Sequence, residues 1–171
     1  MTTVNRSLVG CRRRRTEGRS TTLVVVSKQP VIDVRRAELS DRNALIVLAR
    51  SFATSFNVDS DAFDRSLVEA LDHRDSELLV ATIDGDVVGY VFASVHPTLY
   101  ANGPVAWIEE LMVRDTDRRG GVGRELVGAV ERWAADRSAR LIALATRRAD
   151  VFWQAVGYEA SATYLRKLLA R

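Results

Sequence analysis

Hydrophobic and polar residues change their spacing several times along the chain, and each change marks the border of a predicted element. Apolar residues that alternate with polar ones, or that form short runs, indicate strands. The predicted strands cover residues 31–37, 77–83, 87–95, 105–113 and 140–146, with one or two more in 158–169. The apolar residues at helical spacing predict helices over 41–53, 59–71, 121–137 and 150–156. Without an internal repeat or a second core, this mixture predicts one α/β domain.

Local turn chemistry defines two of these borders. Asp84-Gly85, between two strands, predicts a tight hairpin turn. Ser40 lies just before the first helix, so its hydroxyl is the expected N-cap. The acidic residues nearby are interpreted as solvated strand-end and cap residues: Asp33, Glu38 and Asp41.

The distribution of charge divides the chain into two parts. Residues 1–30 hold seven of the 25 basic residues and one of the 22 acidic residues, so their net charge is +6. Since the whole chain carries +3, the remainder carries −3. We therefore predict a disordered basic tail at 1–30 and a folded domain at 31–171. A mildly acidic domain argues against nucleic-acid binding by the folded part, which leaves the Arg-rich tail as the alternative nucleic-acid contact.

Cysteine content and hydropathy bear on the compartment. Cys11 is the single cysteine of the chain, so no intramolecular disulfide can form and a reducing cytoplasm is expected. No apolar run approaches the roughly 20 residues that span a bilayer, so we expect no membrane partner. His73 and His96 are far apart in sequence and have no cysteine near them, so no metal site is predicted.

The strand at 105–113 and the helix at 121–137 are joined by a turn that is rich in arginine and glycine. Glycines leave the backbone accessible, arginines supply positive charge, and a helix N-terminus adds about half a positive charge. Its glycines and arginines are Arg118, Arg119, Gly120, Gly121, Gly123 and Arg124. Phosphate is the simplest ligand for such a turn. A P-loop would need Lys-Ser/Thr where the chain has Arg124-Glu125, and the glycine spacing differs from a dinucleotide fingerprint.

This turn and a later segment make the chain similar to the GNAT family of acetyl-CoA-dependent N-acetyltransferases over residues 31–169. The family's pyrophosphate loop, Arg/Gln-x-x-Gly-x-Gly/Ala, is matched by Arg118, Gly121 and Gly123. The family's helix A-x-x-F-Y-x-x-x-G-F is matched by ADVFWQAVGY at 149–158. The resemblance implies a single GNAT-like domain with a mixed, mostly antiparallel central sheet flanked by helices.

The resemblance also implies acetyl-CoA as co-substrate, with its pantetheine arm along Leu111–Val113 and its pyrophosphate on the turn. An extended polyanion of this kind suits an exposed strand edge followed by a helix N-terminus. The residues implied in cofactor binding are Leu111, Met112, Val113, Arg118, Arg119, Gly120, Gly121, Val122, Gly123, Arg124, Thr146, Phe152 and Trp153. Thr146 stands where family members often have an asparagine.

Two adjacent glutamates are the candidate catalytic residues. Acetyl transfer to an amine needs a neutral nucleophile, so a base near the thioester must accept a proton, directly or through water. Glu109 and Glu110 lie on the strand that precedes the turn, and strand alternation sends their side chains to opposite faces. Comparison with polyamine-type members of the family favours Glu109 as the general base, with Glu110 second. The other interpretation is that both carboxylates only bind cations or solvent.

The sequence does not identify the residue that would act as general acid. Many family members have a tyrosine that protonates the departing thiolate, and this chain has Trp153 there, whose indole is not a practical proton donor. Another tyrosine could serve, although Tyr158 is better explained as a core aromatic. The other candidates are Tyr164 and Tyr100. Alternatively, the thiolate leaves without an acid, or catalysis is weak or absent.

These observations predict an N-acetyltransferase in which a primary amine attacks acetyl-CoA directly. The alternative is a non-catalytic, regulatory module that binds acyl-CoA, which the tryptophan in place of tyrosine makes credible. A carboxylate pair in an acidic domain points to a cationic amine, such as a polyamine, an aminoglycoside, a lysine side chain or a protein N-terminus. The candidate acceptor-facing residues are Phe52, Phe56, Phe63, His96 and Tyr100. The resemblance further allows a homodimer formed through the terminal strands.

Overall fold

Five strands form one mixed sheet in the computed structural model, which describes residues 30–147 and 149–169. The strands are β1 (Ile32–Arg36), β2 (Ser76–Ile83), β3 (Asp86–His96), β4 (Val105–Val113) and β5 (Leu141–Leu144). They lie side by side in chain order, with β1 to β4 antiparallel and β5 parallel to β4. This arrangement confirms the predicted α/β fold with a mixed, mostly antiparallel sheet.

Helices cover both faces of the sheet. They are α1 (Arg42–Phe52), α2 (Ser60–Asp72), α3 (Val122–Asp136) and α4 (Asp150–Ala155). Alternate residues of β3 enter different cores, since Tyr90 packs in a cluster with residues of α1 and α2 while Val91 packs in a cluster with α3 and Trp153. The helices predicted from apolar spacing are confirmed to within one or two residues at each end.

The start of α1 differs from the prediction. A short 3-10 turn, Leu39–Asp41, precedes the helix, and Ser40 Oγ donates to a Glu38 carboxylate oxygen rather than capping α1. Asp41, expected to be solvated, is buried and paired with Arg35. By contrast, the α2 N-cap is regular, because the Asp59 carboxylate accepts the Ala62 N–H at 2.8 Å.

The strands predicted in 158–169 are absent from the described structure. The apolar residues there form the adjacent pairs Tyr164-Leu165 and Leu168-Leu169, which do not alternate with period two, and all four are exposed. The segment has a different contact, since Arg166 Nη1 donates to Ser55 Oγ at 3.1 Å. Because a strand is stabilised by pairing, a segment without a paired neighbour stays irregular here.

The predictions for the basic tail at 1–30, including Cys11, fall outside the described residues except for Pro30. Among the helices that are described, none has the length and apolar character required to cross a membrane.

Candidate active site

The strands β4 and β5 separate in the middle of β4. Their parallel pairing begins at Val105 and Leu141 and ends at Ile108 and Leu144. From residue 109 to the end of β4, the backbone on this side has no strand beside it among the described residues. An open stretch of strand edge presents N–H and C=O groups to a ligand that is itself extended.

A bulge in β4 lies directly at the point of separation. Along the β3–β4 ladder, Phe92 faces Glu110 and the next residue, Ala93, faces Ile108. Glu109 is therefore the extra residue of β4, and no residue of β3 is paired with it. A bulge of this kind bends the strand and shifts the alternation of its side chains by one position.

The bulge puts both candidate carboxylates on one face of the sheet. Ser94 Oγ donates to Glu109 Oε1 at 2.9 Å, and the Tyr90 hydroxyl donates to Glu110 Oε2 at 2.5 Å. Tyr90 and Ser94 are four residues apart on a regular strand, so their side chains lie on the same face, which is the face covered by α1 and α2. The prediction that alternation separates the two glutamates is therefore wrong, because it assumed a ladder without an inserted residue.

The two carboxylates differ in environment. Glu109 is exposed, whereas Glu110 is half-buried. Burial raises the pKa of Glu110 above its ordinary value, the hydrogen bond from Tyr90 lowers it, and the charge of Glu109 raises it further. Burial and the Glu110 charge also raise the pKa of Tyr90, so this phenol stays protonated and acts as a donor.

Downstream of β4, the Arg- and Gly-rich turn leads into α3 with two residues in the left-handed region. Gly121 is the N-cap at φ +94°, and Arg119 has φ +65°. Within the described residues, no side chain caps this helix. The first N–H groups of α3 therefore remain available to an external acceptor. This is the geometry of an anion site at a helix start.

The arginines of the turn have different surroundings. Arg118 braces the turn internally, since its Nε donates to the Val113 carbonyl at 3.1 Å and its Nη2 lies 2.7 Å from Asp115 Oδ1. Arg119 is exposed. Arg124 Nη2 makes a long hydrogen bond of 3.4 Å to the Ala155 carbonyl of α4. Thus Arg118 shapes the turn, while the other two guanidinium groups remain at the surface.

The start of α3 and the short helix α4 are in close contact. A Cβ on Gly123 would lie 3.1 Å from Phe152 Cζ, so a larger residue would require the ring to shift by a few tenths of an ångström. Val113 also lies beside this position. Thr146 Oγ1 accepts the Ala149 N–H at 3.2 Å, which helps to start α4. Two residues implied in cofactor binding, Gly123 and Phe152, therefore bring α4 against the turn, and a third, Thr146, contacts the start of α4.

Trp153 faces the core. It is 7% exposed and packs edge-to-face against Phe152 and Tyr158, with ring centroids 5.1 Å apart in both pairs. Burial raises the pKa of Tyr158, with the nearby Glu131 adding to the effect, which suits a core aromatic rather than an acid. Tyr100 and Tyr164 are exposed and lie in a loop and in the C-terminal segment.

The aromatic residues proposed to face an acceptor have mixed positions. Phe63 is half-buried against the α1–α2 core, whereas four others are exposed: Phe52, Phe56, His96 and Tyr100. Sequence reasoning missed Tyr90, the residue that holds Glu110. Its position in an apolar strand predicts burial, but its contact with Glu110 depends on the strand register and the bulge.

An open strand edge followed by an uncapped helix start can receive an extended, polyanionic ligand, which is what an acyltransferase that uses acyl-CoA needs. The model of the acetyltransferase (GNAT) family matches residues 45–158, well over half of the chain. The chain belongs to this family and is an acetyltransferase.

Relatives agree with this membership. The aminoglycoside N(6')-acetyltransferase type 1 of Salmonella typhimurium strain LT2 is 30% identical over 109 residues, covering 59% of this chain and 73% of the relative. Glucosamine-6-phosphate N-acetyltransferase from Arabidopsis thaliana has a TM-score of 0.73 at 18% identity, covering 82% of this chain and 99% of that one. Aminoglycoside N-acetyltransferase AAC(6')-Iy in complex with CoA has a TM-score of 0.71 at 24% identity, with coverages of 84% and 99%. These structures share the fold.

Proposed function

We propose that this protein transfers an acetyl group from acetyl-CoA to a primary amine, with Glu109 as general base. The observation that carries the proposal is the open edge of β4 from residue 109, with the carboxylate pair at the point where β5 ends its pairing. Family membership and the CoA complex of a solved relative support the co-substrate.

The described residues fit acetyl-CoA as substrate. The backbone of Leu111–Val113 can pair with the amides of the pantetheine arm, as an added strand does. The free N–H groups at the start of α3 can receive the pyrophosphate, with Arg119 and Arg124 supplying positive charge. The carboxylate of Glu109 is then close to the end of the arm that carries the thioester.

Proton transfer follows from the same geometry. An amine attacks the thioester carbonyl only after losing a proton, and the exposed Glu109 carboxylate can accept it directly or through one water. The attack forms the C–N bond, and collapse of the tetrahedral intermediate breaks the C–S bond. The amide nitrogen then loses its second proton, which the released thiolate takes up directly or through water. We propose that the thiolate leaves without a dedicated acid, because a thiol has a pKa of about 8.5 and Trp153 occupies the place of a phenol.

The proposed acceptor is a polycationic amine of the aminoglycoside class. The relative at 30% identity is named for aminoglycoside acetylation, and two carboxylates on one face attract ammonium groups. Phe52 and Phe56, exposed at the end of α1 and in the loop after it, are candidate apolar contacts for the sugar rings.

The test is release of CoA thiol from acetyl-CoA with a panel of aminoglycosides, polyamines and peptide amines. We expect turnover with at least one amine, and a fall in kcat of about 100-fold or more in Glu109→Gln. Glu69→Gln, an exposed glutamate on α2, is the matched control and should keep wild-type activity. Unchanged turnover in Glu109→Gln would remove the base assignment.

Calorimetry with acetyl-CoA separates this proposal from the alternative of a non-catalytic acyl-CoA module. Binding without turnover on any amine of the panel would favour the module. An absence of acetyl-CoA binding would reject both.

A further inference from the structure

Tyr90 touches the candidate site through Glu110, and no motif of the sequence assigns it a role. Its side chain is 3% exposed, yet its hydroxyl reaches the carboxylate of a residue on the bulged part of β4. Glu110 lies two positions beyond Ile108, the last residue of β4 that pairs with β5. A buried phenol is thus connected by one hydrogen bond to the place where the acceptor is proposed to bind.

The surroundings of this hydrogen bond are apolar. The Tyr90 ring belongs to a core cluster built from α1, α2, β2 and β4, whose members include Leu45, Leu48, Leu67, Leu78, Val80 and Met112. The titratable groups that act on Glu110 are Tyr90 from β3 and Glu109 from its own strand. The cluster residues that α1 and α2 contribute are apolar, so Tyr90 is the donor that faces Glu110.

We propose that Tyr90 is a positioning residue of the acceptor site and acts through Glu110. This proposal rests on the acetyl transfer proposed above. The phenol holds the Glu110 carboxyl group on the face where Glu109 also lies, so the incoming amine meets both carboxyl groups in a fixed arrangement. Glu110 attracts and orients the ammonium group, and Glu109 accepts its proton.

The energetic reason is the cost of a half-buried carboxylate. Without a donor, a carboxylate removed from water becomes protonated or turns toward solvent. A hydrogen bond to a charged group is stronger than one between neutral groups, so the bond from Tyr90 opposes the effect of burial on the pKa of Glu110. Replacing the hydroxyl by hydrogen removes this donor and leaves the aromatic ring in the core.

Tyr90→Phe is the test, read as the pH profile of kcat/KM for a cationic acceptor. Since the Tyr90 hydrogen bond lowers the pKa of Glu110, its loss raises that pKa. The part of the acidic limb that Glu110→Gln removes should therefore move upward by about one pH unit in Tyr90→Phe. At pH values between the wild-type and the variant limb, we expect the KM for the acceptor to be several-fold higher in Tyr90→Phe, while the KM for acetyl-CoA stays unchanged. Thermal unfolding of the variant checks that the core is intact.

Glu110→Gln supplies the matched background. An amide does not ionise, so Tyr90→Phe should add no further shift of the limb in that background. A limb at its wild-type position in Tyr90→Phe, or an equal effect in both backgrounds, would show that Tyr90 serves the fold alone.

Carboxyl ¹³C NMR gives a readout that needs no turnover. The Glu110 signal should titrate about one pH unit higher in Tyr90→Phe than in the wild type, and an unshifted titration overturns the proposal. A wild-type protein that transfers no acetyl group would reject the proposed function, while this titration would still decide the link between Tyr90 and Glu110.

Discussion

Asp41 shows how a single buried charge is stabilised in this fold. Its carboxylate is 7% exposed and accepts hydrogen bonds from both Arg35 Nη atoms, at 2.7 and 2.8 Å, and from the Glu38 N–H at 2.9 Å. The hydrogen bond from Arg35 is the main cause that lowers the pKa of Asp41, with burial acting against it. A buried carboxylate with three donors favours the ionised form. This pair joins β1 to the turn before α1.

We predict that Asp41→Asn lowers the free energy of unfolding by about 2 kcal/mol at neutral pH, because a buried charge-assisted hydrogen-bond set is lost. The folded-state pKa of Asp41 lies below its unfolded value. The stabilisation is therefore fully present above about pH 4 and disappears as the pH falls through the folded-state pKa. Urea unfolding between pH 2 and pH 8 measures both effects.

Asp64→Asn is the control for this prediction. It breaks the Arg42–Asp64 pair, which also has short hydrogen bonds but lies at the surface. Solvent screens such a pair, so Asp64→Asn should lower the free energy of unfolding by less than Asp41→Asn does. If both variants lost the same free energy of unfolding, the larger contribution assigned to the buried Arg35–Asp41 pair would be wrong.

At the scale of the element, the turn into α3 requires a glycine for backbone reasons. Gly121 has φ +94°, and the nearest atom to an added Cβ is Ile32 Cδ1 at 3.7 Å. Space is therefore available, and the obstacle to a side chain is the left-handed conformation itself. Gly85, in the β2–β3 turn, has nearly the same φ of +90° with nothing within 4 Å. The two glycines differ in their distance from the proposed pyrophosphate site.

We predict that Gly121→Ala and Gly85→Ala each lower stability by about 1 kcal/mol, because alanine is strained at positive φ. Only Gly121→Ala should also raise the KM for acetyl-CoA, by several-fold, since it disturbs the N–H groups at the start of α3. Steady-state kinetics beside chemical denaturation separates the two effects. An equal rise in KM in both variants would mean that the turn acts through stability alone.

Elements with a regular period were predictable from the sequence, and their irregular junctions were not. The α3 pattern places Leu126, Val130 and Trp133 on one face, and all three are buried. The bulge at Glu109 has no comparable signal, because the extra residue is defined against β3, a strand at a distance in sequence. The same holds for Tyr90, whose partner is 20 residues away along the chain.

At the scale of the whole molecule, the sheet has an open edge next to an apolar segment. In the part of the chain that the structure describes, β5 pairs with β4 and has no strand on its other side. A cavity of about 420 Å³ lies beside it, with Ile142, Glu131 and Tyr158 in its lining. Residues 159–169 carry their large apolar side chains in solvent, between 62% and 86% exposed. Open edges and exposed apolar groups both favour association.

We predict that the protein forms a homodimer in which residues 159–169 of one copy cover the β5 edge of the other. Pairing across a two-fold axis would bury the β5 edge and residues 159–169 of both copies, since each copy supplies one edge and one segment.

The mass of the particle in solution tests this prediction. Light scattering should give twice the chain mass. A chain ending at Tyr158 should remain folded and give a single chain mass, because the described structure attaches the segment by one hydrogen bond, Arg166 to Ser55. Ser55→Ala is the control, since it removes that bond and should remain dimeric. A chain with residues 159–169 present that is monomeric at high concentration would refute the dimer.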